Sequence, residues 1–214
     1  MANVEIDGAN SIVYTDKLDP KTGTALEIGT SGDTITIPSG ATITNSGTAT
    51  GFGGGKINQV VQTAKTDTFT STTTLADTAI TGMTVDITPA ASSSKVLVTF
   101  ALAISNADHA VRMGLQLFRD TTQICLGDAD GDRSRGAVGG FVAGGTNSGT
   151  ANDSSGMQTQ TFLDSPSTTS AITYSLKFRQ EGGGTFYLNR LGQDTDNANV
   201  FRGVSTITAI EVLA

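Results

Sequence analysis

The residues best spaced for chemistry are three aspartates at alternating positions, Asp128, Asp130 and Asp132, in a glycine-rich segment. Carboxylates that converge in a loop can bind a hard cation such as calcium, which prefers oxygen ligands. The segment is not an EF-hand, because its sixth position is Arg133 and its twelfth is Gly139, where that motif needs Gly and Glu. The pattern therefore predicts a candidate calcium loop of another kind.

A second interpretation of this segment needs no metal ion. Arg133 and Arg135 follow the aspartates directly and could neutralise them, which would make the segment a set of solvated ion pairs. Asp194 and Asp196 form a weaker version of the acidic pattern in a later loop. Calcium is thus the one cofactor that the sequence suggests, and the ion-paired alternative stays open.

The chain contains few candidate catalytic residues. His109 is the only histidine, and no G-x-S-x-G segment supplies a nucleophile for it, so a Ser-His-Asp triad is not indicated. One histidine and one cysteine are too few for a Cys/His zinc site within one chain. A glycosidase carboxylate pair is compatible with the acidic loops, but the chain has no Trp and only three Tyr to line a polysaccharide cleft. We therefore predict that the protein is not an enzyme.

The elements that would hold these loops are β-strands. Large apolar residues alternate with small or polar ones in several runs, and no run has the helical i, i+3, i+4, i+7 spacing. In the clearest run, one face carries Val96, Val98, Phe100, Leu102 and Ile104, and the other carries Leu97, Thr99, Ala101 and Ala103. A face of mainly small residues predicts close coverage by another layer. The sequence thus predicts an all-β fold, with a β-sandwich of jelly-roll type over residues 56–214.

Two further runs lie at residues 172–178 and 186–188, on either side of the segment E-G-G-G. Consecutive glycines favour a tight turn, so these runs are expected to pair as a hairpin over residues 172–191. Leu102 and Leu176, from two of the alternating faces, are predicted to be core residues.

The segment before the sandwich has a different composition. Residues 26–55 are largely Thr, Ser, Gly and Asn, and they end in the glycine hinge G-F-G-G-G. Ile35, Ile37 and Ile43 are too few to stabilise a single ribbon, because burial must offset the entropy lost on ordering. Several copies wound together would cover each other's isoleucines, so we predict an oligomeric β neck. Phe52 in the hinge would pack against a neighbouring chain or the base of the head.

Charge and cysteine content narrow the function classes. The chain carries 20 acidic and 13 basic residues, and the basic ones form no run, so a nucleic-acid partner is not indicated. The N-terminus lacks the basic and apolar regions of a signal peptide, and the longest apolar stretch is too short to insert in a membrane. Cys125 is the only cysteine, so no disulfide forms within the chain, and synthesis in a reducing compartment is expected.

A resemblance to structural proteins of marine tailed bacteriophages lies in residues 24–63, which include the run A-L-E-I-G-T-S-G-D-T-I-T-I-P-S-G-A-T-I-T-N-S-G-T-A-T-G-F-G-G-G. The run is similar to the neck of fibre or spike proteins, which is followed there by a variable β head. The head of this chain resembles the trimeric jelly rolls of complement and tumour-necrosis-factor type in the character of its strands. The resemblance implies a homotrimer made in the host cytoplasm and released by lysis as part of a virion.

The resemblance also suggests a division of labour along the chain. Residues 1–25 would be an anchor arm that binds other virion proteins, residues 26–55 the neck, and residues 56–214 the head. Polar loops at 127–156 and 192–199 would face outward, where they could bind a host surface glycan or protein. The expected function is a fibre, spike or capsid decoration. The alternative is a carbohydrate-degrading enzyme of tailspike type on the same scaffold.

Overall fold

The computed structural model describes residues 28, 31–44, 46, 56–108, 111–141 and 155–213. The chain divides into two units, Met1–Phe52 and Gly53–Ala214. In the first unit, residues 31–44 contain two turns and no strand, and the amide of Ala41 donates to the carbonyl of Pro38 at 3.1 Å. The predicted ribbon thus has no strand partner among the described residues of one chain, and the oligomeric neck stays a prediction.

Eleven β-strands and no helix make up the described part of the second unit. The strands are β1 (Ile57–Lys65), β2 (Phe69–Ser71), β3 (Thr78–Ile87), β4 (Lys95–Asn106), β5 (Met113–Arg119), β6 (Thr122–Ile124), β7 (Val138–Phe141), β8 (Gly156–Asp164), β9 (Ile172–Gln180), β10 (Phe186–Leu188) and β11 (Ser205–Val212). No helix that could cross a membrane occurs among the described residues. The predicted all-β fold is confirmed.

The strands form two antiparallel sheets. In sheet 1, β11 lies between β1 and β4, and β4 also pairs with β8 and with β10, which continues to β2. In sheet 2, β9 lies between β3 and β5, and β5 also pairs with β6 and β7. The strands β3, β4 and β5 alternate between the sheets, as do β7, β8, β9 and β11. The resulting order, β1-β11-β4-β8 facing β3-β9-β5-β7, is the jelly-roll-type β-sandwich that the sequence predicts.

The core lies between the inner faces of the two sheets. Leu102 in β4 and Leu176 in β9 are 0% and 1% exposed, so both predicted core residues are confirmed. The rings of Phe178 and Phe186 stack across the core with centroids 4.1 Å apart, and Phe69 packs edge-on against both. Alternation places one large apolar side chain inward at every second position, which explains why these segments become strands.

The predicted hairpin over residues 172–191 is wrong. Strand β9 pairs with β3 and β5 in sheet 2, whereas β10 pairs with β4 and β2 in sheet 1. The connection between them crosses the sandwich through Gly183 and Gly184, whose φ angles are 85° and 74°. A Cβ at Gly184 would also collide with the side-chain oxygen of Asn106. The crossing allows Phe178 and Phe186 to face each other from opposite sheets, which buries both rings.

A buried carboxylate, Glu211 in β11, is fully satisfied by hydrogen bonds. It is 0% exposed and accepts from the side chains of Asn58 at 2.8 Å and Gln59 at 2.7 Å, and from the backbone N–H of Ala90 at 2.7 Å. Burial by itself raises the pKa of Glu211, but hydrogen bonds, first those from Asn58 and Gln59, outweigh it and lower the pKa to about 2. The charged form is therefore the stable one in the folded head.

Acid should destabilise the head through Glu211. Because its pKa is lower in the folded chain than the usual 4.5, the carboxylate stabilises the fold above that pH and loses this contribution as the pH falls toward 2. Urea unfolding across this range should show wild type more stable than Glu211→Gln near neutral pH, with a gap that narrows in acid. A gap that stays constant with pH would contradict the assignment.

Candidate functional surfaces

The candidate calcium residues lie in the exposed connection between β6 and β7. The guanidinium of Arg133 pairs with the carboxylate of Asp130 at 2.5 Å and also donates to the carbonyl of Asp130 at 3.2 Å. Among the described residues, no three His, Cys, Asp or Glu side chains lie close enough to share a metal ion. Asp130 is therefore ion-paired, as the second interpretation of this segment predicts. A calcium ion bound by Asp128, Asp130 and Asp132 stays a prediction.

The later acidic loop also forms ion pairs. Asp194 accepts from Arg202 at 2.6 Å and lies 3.5 Å from Arg190. Both arginines come from segments close to it along the chain, so this arrangement fixes the local loop. Cys125, after β6, is half-buried against the core, and burial raises the pKa of its thiol, which keeps it protonated.

The structure describes part of the predicted neck and none of the predicted arm. Ile35, Ile37 and Ile43 are 59%, 46% and 56% exposed in the single chain. Their apolar surface is therefore available to another chain, as the neck hypothesis requires. The remaining predicted residues, His109, Phe52 and residues 1–25, lie outside the described part of the chain.

One cluster of titratable side chains, Asp164, Tyr174 and Arg119, connects the two sheets. The carboxylate of Asp164 accepts from the hydroxyl of Tyr174 at 2.7 Å and from Arg119 at 2.8 Å. Burial, with a further contribution from Asp164, raises the pKa of Tyr174, so its hydroxyl stays protonated and donates. Tyr174 is 0% exposed, and Asp164 is almost as deeply buried. Because β8 belongs to sheet 1 while β5 and β9 belong to sheet 2, the cluster ties the sheets together.

The outer face of sheet 2 carries charged side chains in pairs. Arg179 lies 3.1 Å from Asp77, and Arg112 lies 3.0 Å from Glu181 near the end of β9. Lys177 sits over the ring of Phe118, with its Nζ 4.0 Å from the ring centroid. Exposed ion pairs of this kind are typical of a face in contact with water.

The outer face of sheet 1 is different, because it carries almost no charge. We name as the uncharged face the outward residues of β1 (Ile57, Val60, Gln62, Ala64), β11 (Thr206, Thr208, Ile210, Val212), β4 (Leu97, Thr99, Ala101, Ala103) and β8 (Met157, Thr159, Thr161, Leu163). Lys95, at the start of β4, is the only charged residue at the outward positions of these four described strands.

Strand register assembles an apolar row across this face. Leu163 pairs with Leu97, Leu97 with Ile210, and Ile210 with Val60, so four segments far apart in sequence supply one continuous row. Val60 is 59% exposed and Leu163 47%, and Ile57 is 60% exposed beyond the row. On one side of the apolar row, the next rows hold mainly Thr and Ala, whose short side chains allow another layer to approach closely.

One chain covers the uncharged face only in part. Gly203 lies against Ala103, since a Cβ at Gly203 would come within 2.8 Å of the Cβ of Ala103. Leu97, Thr99 and Ala101 remain half-exposed, so the described residues do not supply the close coverage expected for this face. An apolar row within a face that carries almost no charge is typical of a protein–protein interface, and this face is the candidate functional surface of the head.

Comparisons with known proteins give no family for the chain. No protein-family model and no curated protein matches it. T=1 particles derived from infectious bursal virus align with 14% identity and a TM-score of 0.38, over 73% of this chain and 36% of that chain. The Gt strain of infectious bursal disease virus aligns with 15% identity and a TM-score of 0.37, over 73% and 38%. The chain spans little more than a third of these structures, and similarity at this level carries no information about function.

Proposed function

We propose that this protein is a non-enzymatic structural component of a virion, a homotrimer that forms a fibre, spike or capsid decoration. The observation that carries the proposal is the uncharged face, which the described residues leave partly exposed. The neck isoleucines Ile35, Ile37 and Ile43 are exposed as well, so both units present apolar surface that another chain could cover. The resemblance of residues 24–63 to necks in structural proteins of marine tailed bacteriophages supports the virion setting.

The partner that fits the uncharged face is another copy of the same chain. A neck of wound copies brings the heads together, because the five-residue hinge G-F-G-G-G spans at most about 18 Å. Strand β1 starts at Ile57, two residues after this hinge, and carries Val60 of the apolar row. Copies that share a wound neck would therefore carry their β1 strands on short tethers. The number three comes from the resemblance to trimeric jelly rolls.

The N-terminal arm and the loops of the head would then have different roles. Residues 1–25 would attach the trimer to other virion proteins, and the loops at 127–156 and 192–199 would face a host surface glycan or protein. Binding residues commonly lie in loops that connect stiff strands. Three copies of such loops would strengthen a weak contact by avidity. Synthesis in the host cytoplasm and release by lysis fit this role.

Deleting residues 1–25 should leave a soluble trimer that no longer joins particles, because the neck and head are intact while the arm is lost. Shortening the loop at 127–156 should have the opposite effect, with normal assembly and altered adsorption to host cells. Particle composition by gel and adsorption by plating measure the two outcomes. If the arm deletion still assembles and the loop deletion does not, the head is the docking end and the polarity is reversed.

A further inference from the structure

Four arginines line one open groove beside the outer part of sheet 2. Arg112 and Arg179 come from the sheet side, and Arg133 and Arg135 from the connection between β6 and β7, around a volume of about 720 Å³. The chain as a whole is acidic, with a net charge of −7. Positive charge concentrated in one concave site of an acidic protein favours an anionic ligand there.

Three of these arginines already have acidic partners at the rim. Glu181 pairs with Arg112, Asp130 with Arg133, and Asp77 with Arg179, at distances between 2.5 and 3.1 Å. These pairs hold the walls of the groove and cancel part of its charge. Their arginines are therefore supporting residues rather than the main anion ligand.

Arg135 differs from the other three. Its Nε donates to the carbonyl of Gly127 at 2.6 Å, which fixes the plane of the guanidinium. Among the described residues, Arg135 has no acidic partner, and its Nη groups donate no hydrogen bond. A guanidinium that is oriented at one edge and open at the other can bind a carboxylate or sulfate through two parallel hydrogen bonds.

Gln116, on the floor of the groove, is a second and independent sign of a ligand. It is only 5% exposed, and its Oε1 atom is buried without a hydrogen-bond partner among the described residues. Buried polar atoms in native proteins nearly always have a partner, so an unpaired one marks a place where a ligand or water completes the site. An amide oxygen needs a donor, such as a hydroxyl group.

We propose that this groove binds an acidic saccharide, whose carboxylate or sulfate pairs with Arg135 and whose hydroxyl donates to the Oε1 atom of Gln116 when that amide turns toward the groove. The groove volume lies within the range of roughly 300–1,000 Å³ that is usual for small-molecule sites. Leu75, Met113 and Val138 add apolar lining that suits the C–H face of a sugar ring. The proposal names a ligand class for the host-facing head, and it therefore rests on the proposed function.

Calorimetric titration of the 214-residue chain tests the ligand class. The ligands are a uronic acid oligosaccharide, a sulfated oligosaccharide and a neutral oligosaccharide of equal length, with sodium acetate and sodium sulfate as free anions. At least one acidic oligosaccharide should bind, more weakly as salt is added, and the neutral one should not. The acidic oligosaccharide that binds more tightly identifies the anion. Equal binding of the neutral sugar, or of a free anion, would overturn the proposal.

Two variants test the residues. Arg135→Gln should raise the Kd of the acidic oligosaccharide about ten- to a hundredfold, the usual effect of losing a charge-assisted hydrogen bond. Lys56→Gln, which also removes one positive charge but lies outside the groove, should leave the Kd unchanged. Gln116→Met should raise the Kd while the Tm stays the same or rises, because the unpaired oxygen is gone. Equal effects of Arg135→Gln and Lys56→Gln, or a Gln116→Met variant with altered Tm and unaltered Kd, would contradict the site.

Sedimentation of the same samples separates this proposal from the proposed function. A trimer that binds none of the acidic oligosaccharides rejects the groove and leaves the structural role in place. A monomer that binds them rejects the trimer and leaves the groove in place. Each result therefore identifies which of the two proposals has failed.

Discussion

Replacing Leu102 by alanine should lower the free energy of unfolding of the head by about 2–5 kcal/mol. Leu102 is 0% exposed on the inner face of β4, the strand that pairs with β8, β10 and β11. A strand held on both edges cannot move inward to fill the space that the lost side chain leaves. The loss should therefore include a cavity cost in addition to the lost burial of apolar surface.

Leu75→Ala is the matched control, because the same side chain is removed from a position that is 64% exposed. Its effect should stay below about 0.5 kcal/mol. Urea unfolding of both variants at one protein concentration gives the comparison. A loss below about 0.5 kcal/mol for Leu102→Ala would mean that the inner and outer faces of β4 are reversed.

Val60→Asp should dissociate the proposed trimer. Val60 lies in the apolar row of the uncharged face, where a carboxylate would be buried without a partner in the assembled protein. An uncompensated buried charge costs about 3–5 kcal/mol, enough to weaken association by a hundredfold or more. The single chain should remain folded, because Val60 points outward and is 59% exposed in it.

Thr84→Asp provides the control for this prediction. Thr84 is an exposed residue of β3, so the same charge enters the outer face of sheet 2, which already carries ion pairs. Its trimer should persist. Sedimentation velocity on both variants measures the outcome, and dissociation by Thr84→Asp but not by Val60→Asp would place the interface on the other sheet.

Strand faces could be predicted from the sequence because they depend on local alternation. A period of two, with large apolar residues at every second position, is sufficient to place Leu102 and Leu176 inward. The hairpin prediction failed because glycine turn chemistry is alike in a hairpin and in a crossing between sheets. Only the partners of β9 and β10 decide between them, and those partners come from elsewhere in the chain.

The two candidate functional surfaces depend on contacts that no local pattern specifies. The apolar row joins Leu163, Leu97, Ile210 and Val60, which become neighbours only through strand order and register. A signal for this face was nevertheless present, because Lys95 is the only charged residue at the outward positions of those strands. The arginine groove had no such signal. Its floor residue Gln116 stands at an ordinary polar position of an alternating strand.

Sedimentation equilibrium of the 214-residue chain tests the central claim most directly. If copies of the chain cover the uncharged face and wind their necks together, the folded protein should have three times the 21.9 kDa mass of one chain over a wide range of concentrations. A soluble, folded protein that stays at 21.9 kDa throughout this range would contradict the account.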